Sequence, residues 1–219
     1  MGLFRYVALG DSSAVGIGAA EGGGYPERIF QALREGQALR DGQALRDGQA
    51  VGFLNLGVSG ATSEQLVEGP LQQVTGKRPH LVTLGIGSND VWRLVPVDVF
   101  ARNVERMGEV LQATGARVLV CNLIDLALAP AAVAAQRWTG VPPPAFTDRV
   151  RALNQPLAAL AARPNFELID LFGFSQRELP AHPEYFCEDG FHPSSEGYAR
   201  WAELFLPSAR RALQDAART

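Results

Sequence analysis

The sequence predicts an α/β protein: a parallel sheet covered by helices on both faces. Three observations predict it. Five short apolar runs lack strict apolar–polar alternation, as strands buried on both faces do. Longer stretches between them carry helical signals, so strand and helix alternate along much of the chain. The first three runs end in small, polar, glycine-containing turns, and in such sheets ligands bind outside the carboxyl ends of the strands.

The expected strands are Phe4–Leu9, Val51–Leu56, His80–Ile86, Ala116–Cys121 and Asn165–Leu171. A helix is expected over Ser63–Val74 with Ser63 as N-cap. Another spans Val97–Ala113, where Val99, Phe100, Val104, Met107, Val110 and Leu111 fall at helical spacing. Thr147–Ala162 should open on a Thr/Asp cap and kink at Pro156. Ser194–Ala217 should be capped by Ser194, weakened at Gly197 and bent or interrupted at Pro207.

Two segments fall outside this alternation. Residues 31–48 hold three copies of a hexad, Gln-Ala-Leu-Arg-Glu-Gly and then Gln-Ala-Leu-Arg-Asp-Gly twice. On a helix Leu33, Leu39 and Leu45 would point about 240° apart in succession and form no stripe. The expectation is an exposed, partly helical insertion with no catalytic role. Leu126–Phe146 contains Trp138 and Pro142-Pro143-Pro144 and is long for a connection in a compact domain. It is either a lid or binding loop, or a surface loop held by proline. Trp92, Trp138, Phe146 and the proline run are candidates for an apolar pocket, or for packing.

The length of 219 residues suits one domain spanning 1–219, with the hexads inserted in it. Such a domain buries roughly 70% of its unfolded surface and needs no disulfide or metal to hold a core. The only cysteines are Cys121, expected as a buried thiol, and Cys187, close to Asp189; neither has metal-ligand spacing. A formal charge of −3 argues against a nucleic-acid partner. No apolar stretch approaches the ~20 residues of a membrane span. Gly2–Leu9 is too short for a signal peptide's apolar region, so a cytoplasmic location is expected.

Ester or amide hydrolysis by a side chain needs a nucleophile, a base, an orienting acid and oxyanion donors. Ser12, in Gly10-Asp11-Ser12-Ser13, follows the first strand among small residues that let a substrate approach. Of three histidines, His80 opens a strand and His182 lies in a polar loop. His192 stands three residues after Asp189, so one ring nitrogen can bond the carboxylate while the other faces outward. Asn89, in Gly87-Ser88-Asn89-Asp90, offers a side-chain amide. Gly60, closing Asn55-Leu56-Gly57-Val58-Ser59-Gly60, offers an unobstructed backbone N–H. Each alone would pass for turn chemistry.

The ordered set of these four motifs resembles the SGNH/GDSL hydrolase family over roughly residues 4–205. The resemblance implies a flavodoxin-like three-layer α/β/α sandwich on a parallel, roughly five-stranded sheet. It implies Ser12 as nucleophile, His192 as general base and then acid, and Asp189 as its orienting group. The oxyanion hole would combine the backbone N–H groups of Ser12 and Gly60 with the Asn89 side chain. No metal or organic cofactor is implied, and the partner is a small-molecule ester. A leucine usual after the serine is Ser13 here, which makes Ser13 a rival nucleophile, and the hexads have no counterpart in the family pattern.

The leading expectation is an esterase or acyl hydrolase. A carbohydrate deacetylase or thioesterase would use the same machinery. A phosphate loop over Gly10–Gly18 is disfavoured, because neither Gly-x-x-x-x-Gly-Lys-Ser/Thr nor Gly-x-Gly-x-x-Gly is present. A catalytically dead binding module is disfavoured because every expected catalytic residue is there.

Overall fold

Five strands pair in parallel: β1 (Phe4–Gly10), β2 (Val51–Asn55), β3 (Leu81–Gly85), β4 (Arg117–Cys121) and β5 (Phe166–Ile169). The computed structural model describes residues 3–38 and 50–218. The strand order is β2-β1-β3-β4-β5, so the chain switches sides after β2 and returns to pair β3 with β1. Every expected strand is present, with ends shifted by at most two residues. β3 is buried along its whole length and β1 nearly so, as expected of strands covered on both faces.

The helices are α1 (Ser12–Val15), α2 (Tyr25–Ala38), α3 (Ser63–Glu68), α4 (Pro70–Val74), α5 (Ser88–Trp92), α6 (Val97–Ala113), α7 (Ala131–Thr139), α8 (Pro143–Ala161), α9 (Leu171–Glu178) and α10 (Ser195–Ala216). One layer packs α2 against α10, with α2 on β2 and α10 on β3 and β4. The opposite layer packs α4, α6 and α8 together over β1, β4 and β5. The result is an α/β/α sandwich.

Several helix boundaries differ from expectation for identifiable reasons. Ser63–Val74 is two helices, because Pro70 lacks the N–H that would continue the first and instead opens α4. The N-cap of α3 is Thr62, which forms a capping box with Gln65; Ser63 is the first helical residue. α8 starts at Pro143, since prolines in a first turn forfeit no hydrogen bond, and Thr147 bonds the Asp125 carboxylate instead of capping. Pro156 and Pro207 both lie inside continuous helices. Ser194 caps α10 as expected, accepting from Gly197 N at 3.2 Å. β5 ends early because Asp170 caps α9.

The first hexad is helical and exposes Gln31, Arg34 and Glu35, as expected, but it does not stand apart from the core. It lies within α2, where Leu33 is buried on the stripe begun by Tyr25 and Ile29 at i, i+4 spacing. The remaining hexads span residues 37–48; the first two of these residues end α2, and 39–48 lie outside the described residues. Leu126–Phe146 is largely helical, comprising a 3₁₀ turn at Leu126–Leu128, all of α7 and the start of α8.

At the carboxyl ends of β1 and β3, Gly10 pairs with Gly85. A Cβ on Gly10 would stand 2.5 Å from the Gly85 carbonyl oxygen and 3.0 Å from Ala14 Cβ. Gly10→Ala is therefore expected to lower stability by about 1–3 kcal/mol through overpacking. Thermal unfolding followed by circular dichroism checks this.

Candidate active site

β1 delivers the chain to Asp11, the N-cap of α1. Its carboxylate accepts hydrogen bonds from Ser13 N at 2.9 Å and Ser13 Oγ at 2.8 Å. The Ser13 hydroxyl is thus committed to the cap, while Ser12 turns the other way. Burial raises the Asp11 pKa, although both Ser13 bonds oppose it. Ser12 N, in the first helical turn, is among the N–H groups a helix leaves without an intrahelical partner.

The turn after β2 is tied to this one. Val58 N donates to Gly10 O at 3.0 Å, and Asn55 Nδ2 donates to Ala14 O at 2.7 Å while its Oδ1 accepts from Gly57 N. Gly60 then adopts φ +75, a left-handed conformation, and a Cβ there would meet only Arg93 Nη2 at 3.9 Å. From α5, Asn89 Nδ2 donates to Ala61 O at 3.0 Å, which orients the amide and leaves its second N–H. The neighbouring Asp90 is fully buried and accepts from Ser63 N (2.9 Å) and Ser63 Oγ (2.6 Å), and Asn103 Nδ2 donates to Ser63 Oγ at 3.0 Å. Arg149 on α8 donates to the carbonyls of Asp90, Val91 and Val95 at the end of α5.

His192 arrives from the loop before α10. Its Nε2 lies 3.0 Å from Ser12 Oγ and its Nδ1 2.5 Å from Asp189 Oδ2. Asp189 Oδ1 accepts from Phe191 N (2.7 Å), His192 N (2.8 Å) and the Cys187 thiol (3.2 Å). Partial burial alone would raise the Asp189 pKa, but these donors and the imidazole outweigh it and hold the carboxyl below its ordinary range. The carboxylate therefore stays ionised, Nδ1 carries the ring proton, and Nε2 is left to accept from Ser12. The loop closes on the turn that follows Ser12: Tyr198 Oη donates to Ile17 O at 2.8 Å, and Ser195 Oγ accepts from Ala20 N and Glu21 N.

The other histidines lie elsewhere. His80 Nδ1 accepts from Arg5 N at 3.0 Å and its ring stacks on Phe4. His182 pairs with Glu184 and stacks on Tyr185. Cys121 is buried, and burial pushes its thiol up to about 12. Cys187 is a hydrogen-bond donor to Asp189, a role its sequence position suggested only as proximity. Among the described residues no cluster of three or more His, Cys, Asp or Glu is placed to hold a metal ion, and no helix is long and apolar enough to cross a membrane.

Beside Asn89 opens a groove of about 470 Å³, walled by Trp92, Trp138, Phe191 and the α7 alanines Ala131 and Ala135. Trp92 meets Phe191 edge-on at 5.5 Å, and Phe191 in turn meets the His192 ring at 4.7 Å. Phe146 packs behind Trp92 and is fully buried, so it supports the wall without lining it. The 126–146 segment thus builds the groove through α7. The proline run serves to start α8.

The match to the model of the GDSL-like lipase/acylhydrolase family extends over residues 8–200. The chain belongs to that family, and with it to the enzymes that hydrolyse esters. Solved structures share the fold over nearly their whole length. TesA superimposes with a TM-score of 0.71 at 20% identity, covering 95% of this chain and 99% of that one. The psychrotrophic esterase EstA from Pseudoalteromonas sp., in a structure inhibited by monoethylphosphonate, gives 0.69 at 16% identity and covers 96% and 98%. The acetyl xylan esterase AlAXEase gives 0.67 at 19% identity and covers 94% and 99%. No curated protein matches the chain significantly.

The Ser63 hydroxyl links Asn103 to Asp90 inside the core. Ser63→Ala leaves the Asn103 amide without its acceptor and should cost about 1–3 kcal/mol. Urea denaturation should show this as a lower midpoint at unchanged slope.

Proposed function

We propose that this chain, as a single hydrolase domain, cleaves carboxylic esters through an acyl-enzyme on Ser12. The observation that carries the proposal is the relay in which His192 reaches Ser12 Oγ with one nitrogen and Asp189 with the other. His192 Nε2 takes the Ser12 proton as Oγ attacks the ester carbonyl. The tetrahedral oxyanion is held by Ser12 N, Gly60 N and the free N–H of the Asn89 amide. The imidazolium, stabilised by Asp189, returns the proton to the departing alcohol. Water then repeats the sequence on the acyl-enzyme and frees the acid. A serine-directed phosphonate should form its adduct on Ser12 and abolish turnover, and His192→Ala should remove nearly all activity. An adduct on Ser13, or full activity without His192, would overturn the assignment.

Asn89 tests the oxyanion site. A donor that bonds most strongly to the developing charge lowers kcat when lost and leaves KM nearly unchanged. Asn89→Ala should reduce kcat about 10²–10³-fold. Asn89→Asp should be worse, because a carboxylate repels the oxyanion. Steady-state kinetics corrected for folded fraction provide the measurement.

The aromatic groove supports an ester whose acyl or alcohol portion is apolar. Each methylene it buries is worth about 0.8 kcal/mol, close to fourfold in kcat/KM. Rates on a panel of p-nitrophenyl esters should rise from acetyl through butyryl to octanoyl, and Trp138→Ala should flatten that rise. Preference for acetylated sugars or for a thioester in the same panel would favour the deacetylase or thioesterase alternative.

A further inference from the structure

Positions 89 and 93 lie one turn apart on one side of α5, where helical neighbours at i, i+4 reach the same surface. Both grip the turn that carries Gly60. Asn89 Nδ2 donates to Ala61 O at 3.0 Å, and Arg93 Nη2 donates to Gly60 O at 3.1 Å. With Asp90 holding Ser63 N, α5 and its C-cap anchor residues 60, 61 and 63 through three side chains. Gly60 needs this support, because its left-handed backbone has no side chain of its own to pack. Among the described residues no carboxylate lies within ion-pair distance of Arg93, so its charge is not neutralised. It also borders the groove next to Asn89.

We propose that Arg93 is a positioning residue of the oxyanion site: it fixes the Gly60 turn through the Gly60 carbonyl and sets an unpaired cation beside the developing negative charge. The inference rests on Gly60 and Asn89 being oxyanion donors. A fixed positive charge near the oxyanion stabilises the transition state more than the neutral ester, so its effect falls on kcat. Phosphonates and esters alike present an oxygen that becomes negative at the reacting centre.

The test compares Arg93→Ala, Arg93→Gln and Arg93→Lys on p-nitrophenyl acetate, a substrate too short to exploit the groove. Arg93→Ala should lower kcat about tenfold with little change in KM, a loss typical of a partly solvated charge rather than a direct donor. Arg93→Gln, which can keep a neutral hydrogen bond to Gly60 O, should fall between. Arg93→Lys should recover most of the loss. Raising ionic strength should slow the wild type more than Arg93→Ala, because only the former has the Arg93 charge to screen. Unchanged kcat per folded molecule in Arg93→Ala, with Asn89→Ala still defective, would overturn the role of Arg93 alone. Unchanged kcat in both variants would overturn the donor set and this proposal with it.

Discussion

The separation of β1 and β3 at their carboxyl ends governs everything built above them. Gly10 and Gly85 face each other there, and a side chain at either position would crowd its neighbours. A Cβ on Gly85 would stand 2.7 Å from Tyr25 Oη and 3.0 Å from Cys121 Sγ. With only backbone at this point, α1 can start immediately beyond Gly10, and the turn leading to α5 can start beside it. The turn after β2 joins them through Val58 N and Gly10 O. Three chain segments that are remote in sequence thus meet around Ser12, and the parallel sheet supplies the common edge.

Around that edge, three aspartates of similar sequence appearance do different work, and their surroundings decide which. Asp11 and Asp90 are buried, accept hydrogen bonds from serines, and have their pKa raised by burial. They pin backbone: Asp11 caps α1, and Asp90 binds α3 to α5. Asp189 is about half exposed, its side chain at 47%, yet it is the most readily ionised, because four donors converge on it. A carboxylate of this kind can keep an imidazole correctly protonated on one side without itself taking the proton. The buried pair could not do so without first losing the serines that hold them.

The features legible in the sequence were those encoded locally. Short apolar runs marked all five strands, the first three closed by glycine-containing turns, and Ser194 announced α10 through its own hydroxyl. Asp189 and His192 were paired by a three-residue spacing that one turn can satisfy. What escaped depended on partners outside the stretch being read. Leu33 looked stripeless because only the hexads were compared with one another, whereas its stripe starts upstream at Tyr25 and Ile29. Thr147 resembled a cap, but its hydroxyl is claimed by Asp125. Nothing near Asp90, Asn103 or Arg149 in sequence signals that they meet at the ends of α3 and α5. Arg93 carries no motif at all, and its contact with Gly60 exists only once α5 is docked.

Ser12 and His192 stand 180 positions apart, and the loop holding His192 is fastened to the turn after Ser12 by Tyr198 and Ser195 of α10. Along the chain Ser12 precedes four of the five strands, whereas His192 follows all of them. All five strands are complete in sequence by Ile169, and the imidazole that bonds Ser12 comes later. Long-range closures of this kind form late, because the loop entropy must be met before their contacts reward it. The hydrogen bond between His192 and Ser12 is therefore a report on the docking of α10, whose residues fasten the loop that carries the imidazole.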